Sequence, residues 1–99
     1  MSTSDAHAAL ASCRADLDRI DAELVRLLSE RAALALQIGD AKKAAGLPIF
    51  APDREADVIA RARLNAEQAT TGALEPEMAA TVFTAIVSET RNLQIRRAA

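Results

Sequence analysis

The stretch LASCRADLDRIDAELVRLLSERAALALQIGDA, residues 10–41, decides the fold. Within it Leu10, Cys13, Leu17, Ile20, Leu24, Leu27, Arg31, Leu34, Ile38 and Ala41 follow one another in alternating steps of three and four, and all but Arg31 are apolar. Such a repeat makes one long helix with a continuous apolar seam. A guanidinium inside the seam sits where stability alone would not place it. The pattern predicts a helical dimer with an anion-binding pocket in its interior.

Helix geometry sharpens that expectation. At 1.5 Å per residue, residues 10–43 span a rod of about 50 Å. A compact chain of about 100 residues has a radius of gyration near 13 Å, hence a diameter of roughly 33 Å. The rod overshoots its own domain, and two shorter helices cannot cover the seam, so a second, antiparallel copy is expected on it. A second row, Asp16, Arg19, Glu23, Arg26, Glu30, Gln37 and Asp40, reads as the solvated face, with Arg26 and Glu30 an i,i+4 pair. Ser4 or Asp5 is the expected cap, with Met1–Thr3 fraying ahead of it.

Beyond the rod the chain punctuates itself. Gly46 is a helix stop and Pro48 prevents resumption. Pro52 suits the first turn of a second helix, followed by Asp53 and Glu55 where the dipole favours acids. Val58, Ile59, Ala62 and Ala66 form its apolar stripe. Residues 70–74 are a second break, and Pro76 opens a third helix. Its stripe runs Met78/Ala79, Val82/Phe83, Ile86/Val87, Thr90, Leu93 and Gln94. The expected architecture is all-α: a three-helix protomer, intertwined as an antiparallel homodimer. Residues 1–99 form a single domain, of which 1–9 are the tail and helix start.

Composition narrows the function classes. Hydrophobic residues make up 51% of the 99, but aromatics are only 2%, so a few aliphatic stripes supply the burial. Net charge is −2, which provides no global basic field for nucleic acid, and neither Trp nor Tyr is present as a stacking platform. No apolar run reaches the roughly 20 residues of a membrane span. The first residues lack the basic and apolar regions of a signal peptide. One Cys and one His make neither a disulfide nor a metal site, which fits a reducing cytoplasm. Cys13, on the seam, is expected to pack as a small hydrophobe.

The cations are more informative. Arg31 and Lys42 are eleven residues apart. That is nearly three turns, so they share a face about 16 Å apart and converge on a small dianion between them. Arg14 of the same chain is about 25 Å from Arg31 and turned away. In an antiparallel pair crossing near residue 25, however, Arg14 of the opposite protomer arrives level with the gap between Arg31 and Lys42. A two-fold pair then holds two equivalent sites, each built from both chains. Arg54 and Gln94 are the natural groups to close them. Taken singly, each residue is explained as a surface charge, a snorkelling arginine or a fraying terminus; their compatible spacing argues for a site. Gly39 inside the rod costs about 1 kcal/mol relative to Ala. It reflects either drift or a close approach to the backbone.

CRADLDRIDAELVRLLSER (13–31), IGDAK (38–42), GLPIFAPDRE (46–55) and FTAIVSETRNLQ (83–94) occur in order and at compatible spacing. Together they resemble the all-α chorismate mutase family. The resemblance implies that Arg31, with Arg14 of the opposite protomer, grips the carboxylates of chorismate. Lys42 and Gln94 face its ether oxygen, and Arg54 supports the carboxylate end. Glu55 accepts a hydrogen bond from the ring hydroxyl, and Thr90 takes a position where relatives often carry a small hydroxyl residue. The implied reaction, chorismate to prephenate in phenylalanine and tyrosine biosynthesis, is pericyclic and needs no nucleophile, base, metal or cofactor. Feedback control in so short a chain would need a partner enzyme.

One position departs from the pattern: Ala51 stands where many mutases carry an acid. Isochorismate-pyruvate lyases, which make salicylate on the same fold, resemble this chain at Ala51-Pro52-Asp53-Arg54 but tend to lack an acid at the position of Glu55. Glu55 favours the mutase. A non-catalytic helical dimer, serving as an interaction or regulatory module, explains the seam but leaves Arg31 within it unexplained.

Overall fold

A computed structural model describes residues 1–99 and contains three helices and no strand: α1 (Thr3–Ala44), α2 (Pro52–Glu67) and α3 (Pro76–Ala98). The chain divides into two units, Met1–Ala33 and Leu34–Ala99.

The first unit is α1 as far as Ala33. Its helix begins earlier than the expected cap. Ser2 Oγ accepts the Asp5 N–H at 3.1 Å, and an Asp5 carboxylate oxygen accepts the Ser2 N–H at 3.4 Å. This reciprocal pair is a capping box with Asp in the usual Glu position. Asp5 is therefore the third helical residue, not the cap, and Thr3 is already helical. The solvated face forms its expected ladder: Arg26 binds Glu30 at 2.7 Å and also Glu23, while Arg19 lies 3.9 Å from Asp16. The apolar seam in this unit is uncovered within the protomer, with Leu10, Leu17, Ile20, Leu24 and Leu27 each near half exposure; Leu24 is at 52%. Cys13 is exposed as well.

The second unit holds the end of α1 with α2 and α3. The rod stops at Gly46, whose φ of +69° is a left-handed conformation without a Cβ penalty. Gly46 N–H donates to Lys43 O at 3.2 Å and Leu47 N–H to Lys42 O at 2.8 Å, the two bonds of a Schellman motif. Proline opens both later helices, at Pro52 and Pro76, as expected. α2 and α3 pack through small residues: Ala62 and Ala66 meet Ala79, with Phe83 against them. Alanines let the two backbones approach closely, so little apolar volume is needed to exclude water. Ala80 and Val87 are also buried on α3, whereas Met78 and Val82 of the expected stripe stay half exposed. Arg63 of α2 holds Glu77 of α3 at 2.9 Å across the intervening turn.

The end of α1 buries a face other than the seam. Ala35 and Gly39 are its buried residues, while the seam residues Leu34 and Ile38 remain exposed. A helix this long thus serves two surfaces at once.

Candidate active site

Gln94 is the buried polar side chain of the protomer, 8% exposed. Its Nε2 donates to the Ala35 carbonyl at 2.7 Å, joining residues 59 apart in sequence. The contact is close because of Gly39: a Cβ there would lie 3.3 Å from Gln94 Cγ and 3.5 Å from its Cβ. Of the two readings of Gly39, the close approach is correct, and what approaches is the Gln94 side chain. An amide nitrogen carries two N–H groups. The Ala35 carbonyl takes one and anchors the amide, and the second N–H is a further donor.

Lys42 lies three residues beyond Gly39 and so near the same side of α1. It is half-buried, and its Nζ donates to Ile49 O at 2.9 Å. Its main-chain carbonyl accepts the Leu47 N–H. Lys42 thus ties the connecting loop back to the helix end at both of its polar groups.

On α2, Arg54 is exposed and Glu55 is half-buried. Glu55 is paired with Arg91 of α3, whose Nη1 lies 3.2 and 3.3 Å from the two carboxylate oxygens. The Arg91 guanidinium also lies 4.7 Å from the centre of the Phe50 ring, within the range of a cation–π contact. Thr90 is half-buried on α3 beside Arg91. Arg14 and Arg31 belong to the Met1–Ala33 unit, where Arg14 is exposed and Arg31 half-buried.

Lys42, Glu55 and Gln94 are therefore placed by one unit, the last around the Gly39 notch. Arg91 and Phe50 are the participants that sequence reasoning passed over. Both lie inside the quoted motifs, yet nothing in their spacing reveals that Arg91 meets an acid 36 residues away. Arg97 also reaches from α3, binding Asp40 at 3.0 Å on the exposed side.

The fold and these side chains define a class: an all-helical protein that presents cations and an oriented amide without an array of nucleophiles. The chorismate mutase type II family model matches residues 13–95, and the chain belongs to that family.

Among curated relatives, the bifunctional chorismate mutase/prephenate dehydratase of Aquifex aeolicus is 49% identical over 59 residues, which is 59% of this chain and 16% of that protein. The T-protein of Haemophilus influenzae is 43% identical over 61 residues, 62% of this chain and 16% of its own length. A chorismate mutase of Methanocaldococcus jannaschii is 37% identical over 54 residues, 54% of each chain. The chain thus spans a minor part of the first two relatives. The solved chorismate mutase (form II) of Thermus thermophilus superimposes with a TM-score of 0.80 at 30% identity, covering 89% of this chain and 96% of that one.

Proposed function

We propose that this chain is a chorismate mutase, converting chorismate to prephenate for phenylalanine and tyrosine biosynthesis, and that residues 1–99 act as one mutase domain. The single observation that carries the reading is family membership across residues 13–95, a span that includes every residue assigned a role below.

The mechanism follows from the side chains. The rearrangement forms a carbon–carbon bond and breaks a carbon–oxygen bond within one molecule, so catalysis consists of restraint and charge stabilisation. Arg31, with Arg14 of the opposite protomer, grips the two carboxylates and folds the enolpyruvyl arm over the ring. Arg54 supports the carboxylate end, and Thr90 lines the site. Lys42 and the second N–H of Gln94 meet the ether oxygen as it gains negative charge. Because the Ala35 carbonyl already orients Gln94, that donor requires no rearrangement during the reaction. Glu55 accepts the ring hydroxyl. No step calls for a metal or cofactor.

The uncovered seam supports an intertwined antiparallel homodimer. Leu10, Leu17, Ile20, Leu24, Leu27, Leu34 and Ile38 are all exposed in the protomer. Completing the burial of a half-exposed leucine contributes about 1 kcal/mol. The second copy also supplies Arg14, without which the carboxylate clamp is incomplete. No helix is long and apolar enough to cross a membrane. A cytoplasmic location is part of the same reading, in keeping with a lone, exposed cysteine. The Aquifex relative, named for both mutase and prephenate dehydratase, suggests a prephenate-consuming enzyme as the functional or regulatory partner.

Ala51 favours a second reading, isochorismate-pyruvate lyase, because it stands where many mutases carry an acid, just ahead of the first turn of α2 that bears Arg54. One experiment separates the possibilities. Purified protein is incubated with chorismate and, separately, with isochorismate. Prephenate from chorismate is expected. Salicylate and pyruvate from isochorismate would instead establish the lyase, and turnover of neither would leave a non-catalytic dimer.

A further inference from the structure

Arg91 joins three parts of the second unit. It projects from α3, contacts both carboxylate oxygens of Glu55 in the first turns of α2, and stacks on Phe50 in the loop before α2. The ion pair is partly shielded, with 28% of the Arg91 side chain and 22% of Glu55 exposed. An arginine on an open surface loses rotamer freedom when it pairs, which cancels much of the gain. Here the Phe50 ring already restrains the guanidinium, so the pair forms from a side chain with less freedom to lose.

The geometry leaves Glu55 available for other work. One guanidinium nitrogen bridges both oxygens, whereas a carboxylate offers about four acceptor positions. The remaining lone pairs are held in fixed directions. In the proposed mutase reading Glu55 recognises the ring hydroxyl, and Ala51 supplies no second acid to share that task. The loop is also held at consecutive residues: Lys42 binds the Ile49 carbonyl and Arg91 carries the Phe50 ring.

We infer that Arg91 is a positioning residue: it holds the Glu55 carboxylate in the orientation that recognises the substrate's ring hydroxyl and, through Phe50, couples that acid to the loop gripped by Lys42. The inference rests on the mutase reading above and adds to it a determinant of specificity. Arg91 itself touches no reacting atom.

The test is steady-state kinetics with chorismate and with its analogue bearing hydrogen in place of the ring hydroxyl. The unaltered chain, Arg91→Gln and Arg91→Lys are compared, with thermal melts recorded in parallel. A hydrogen bond to a charged acceptor corresponds to a preference for chorismate of about tenfold or more. In Arg91→Gln that preference is expected to shrink at least about threefold, mainly through a raised KM for chorismate. Arg91→Lys, which keeps the charge but loses the planar guanidinium that stacks on Phe50, is expected to fall between. Phe50→Leu supplies the same test by removing only the ring face, should Arg91→Gln fail to fold, and it is expected to move in the same direction. A merely structural tie would lower the melting temperature and leave the preference unchanged; that result overturns the inference while the mutase reading stands. No turnover of chorismate by the unaltered chain overturns both.

Discussion

Substituting Gly39 by alanine tests the core of the site, because local and tertiary effects pull in opposite directions. In an isolated helix the change stabilises by about 1 kcal/mol. In this structure the new methyl would sit 3.3 Å from Gln94 Cγ, 3.5 Å from its Cβ and 3.8 Å from its Cδ. Ordinary carbon contacts begin at roughly 3.5 Å, so Gln94 must retreat by a few tenths of an ångström. It is not free to do so cheaply, since its Nε2 is anchored to Ala35 O at 2.7 Å in a buried position. Overpacking of this kind costs typically 1–3 kcal/mol. The net expectation is a protein less stable by about 1 kcal/mol. Turnover of chorismate should fall about tenfold, in kcat more than in KM, because in the proposed mechanism the Gln94 donor acts on charge that develops only in the transition state. Stability is measured by urea unfolding at matched protein concentration, since the midpoint of the proposed dimer depends on it. Adding Gln94→Ala to Gly39→Ala should relieve the clash, so the two stability effects will be strongly non-additive. A Gly39→Ala protein that gains the full helix-propensity increment and keeps its kcat would refute the notch as the device that places Gln94.

Lys42→Ala is expected to abolish measurable turnover while leaving the helical content and the dimer intact, because the Schellman motif at Gly46 holds the helix end through backbone bonds alone; circular dichroism and sedimentation check the second half, and dissociation would show the residue to be misplaced. Mixing inactive Arg14→Ala with inactive Lys42→Ala chains should restore part of the activity, since under the proposed dimer each mixed pair holds one unaltered site; no recovery after proven subunit exchange would argue against shared sites. Arg26 beside Glu23 holds that carboxyl below the usual glutamate value. Whatever the pair adds to stability is present in full above the unfolded-state pKa and fades as pH falls through the lower folded one. An NMR titration should show the depressed value, and Arg26→Ala should return it to normal.

The long helix, its two breaks and the proline-led starts of α2 and α3 were legible because each depends on neighbours within a few residues. A three-four apolar repeat selects a helix wherever it stands. Gly46 ends one through its own backbone freedom, and proline is tolerated in a first turn for lack of an N–H partner. The start of α1 was equally local: the Ser2–Asp5 spacing carries the capping box, two or three residues ahead of the expected cap at Ser4 or Asp5. Resemblance to a known family supplied the proposed substrate roles of Arg14, Arg31, Lys42, Arg54, Glu55, Thr90 and Gln94.

Contacts between distant segments were decided elsewhere. Gly39 alone permits two explanations, and the choice required knowing that Gln94 lies across from it. Arg91 has acids nearer in sequence than Glu55, such as Glu89, yet it reaches across to α2. Sequence by itself determined which segments become helices and which faces are apolar, because dihedral preference and periodicity act over a turn or two. The tertiary structure decided which polar group meets which, because that depends on how closely small residues let the backbones approach, the packed alanines between α2 and α3 and Gly39 against Gln94.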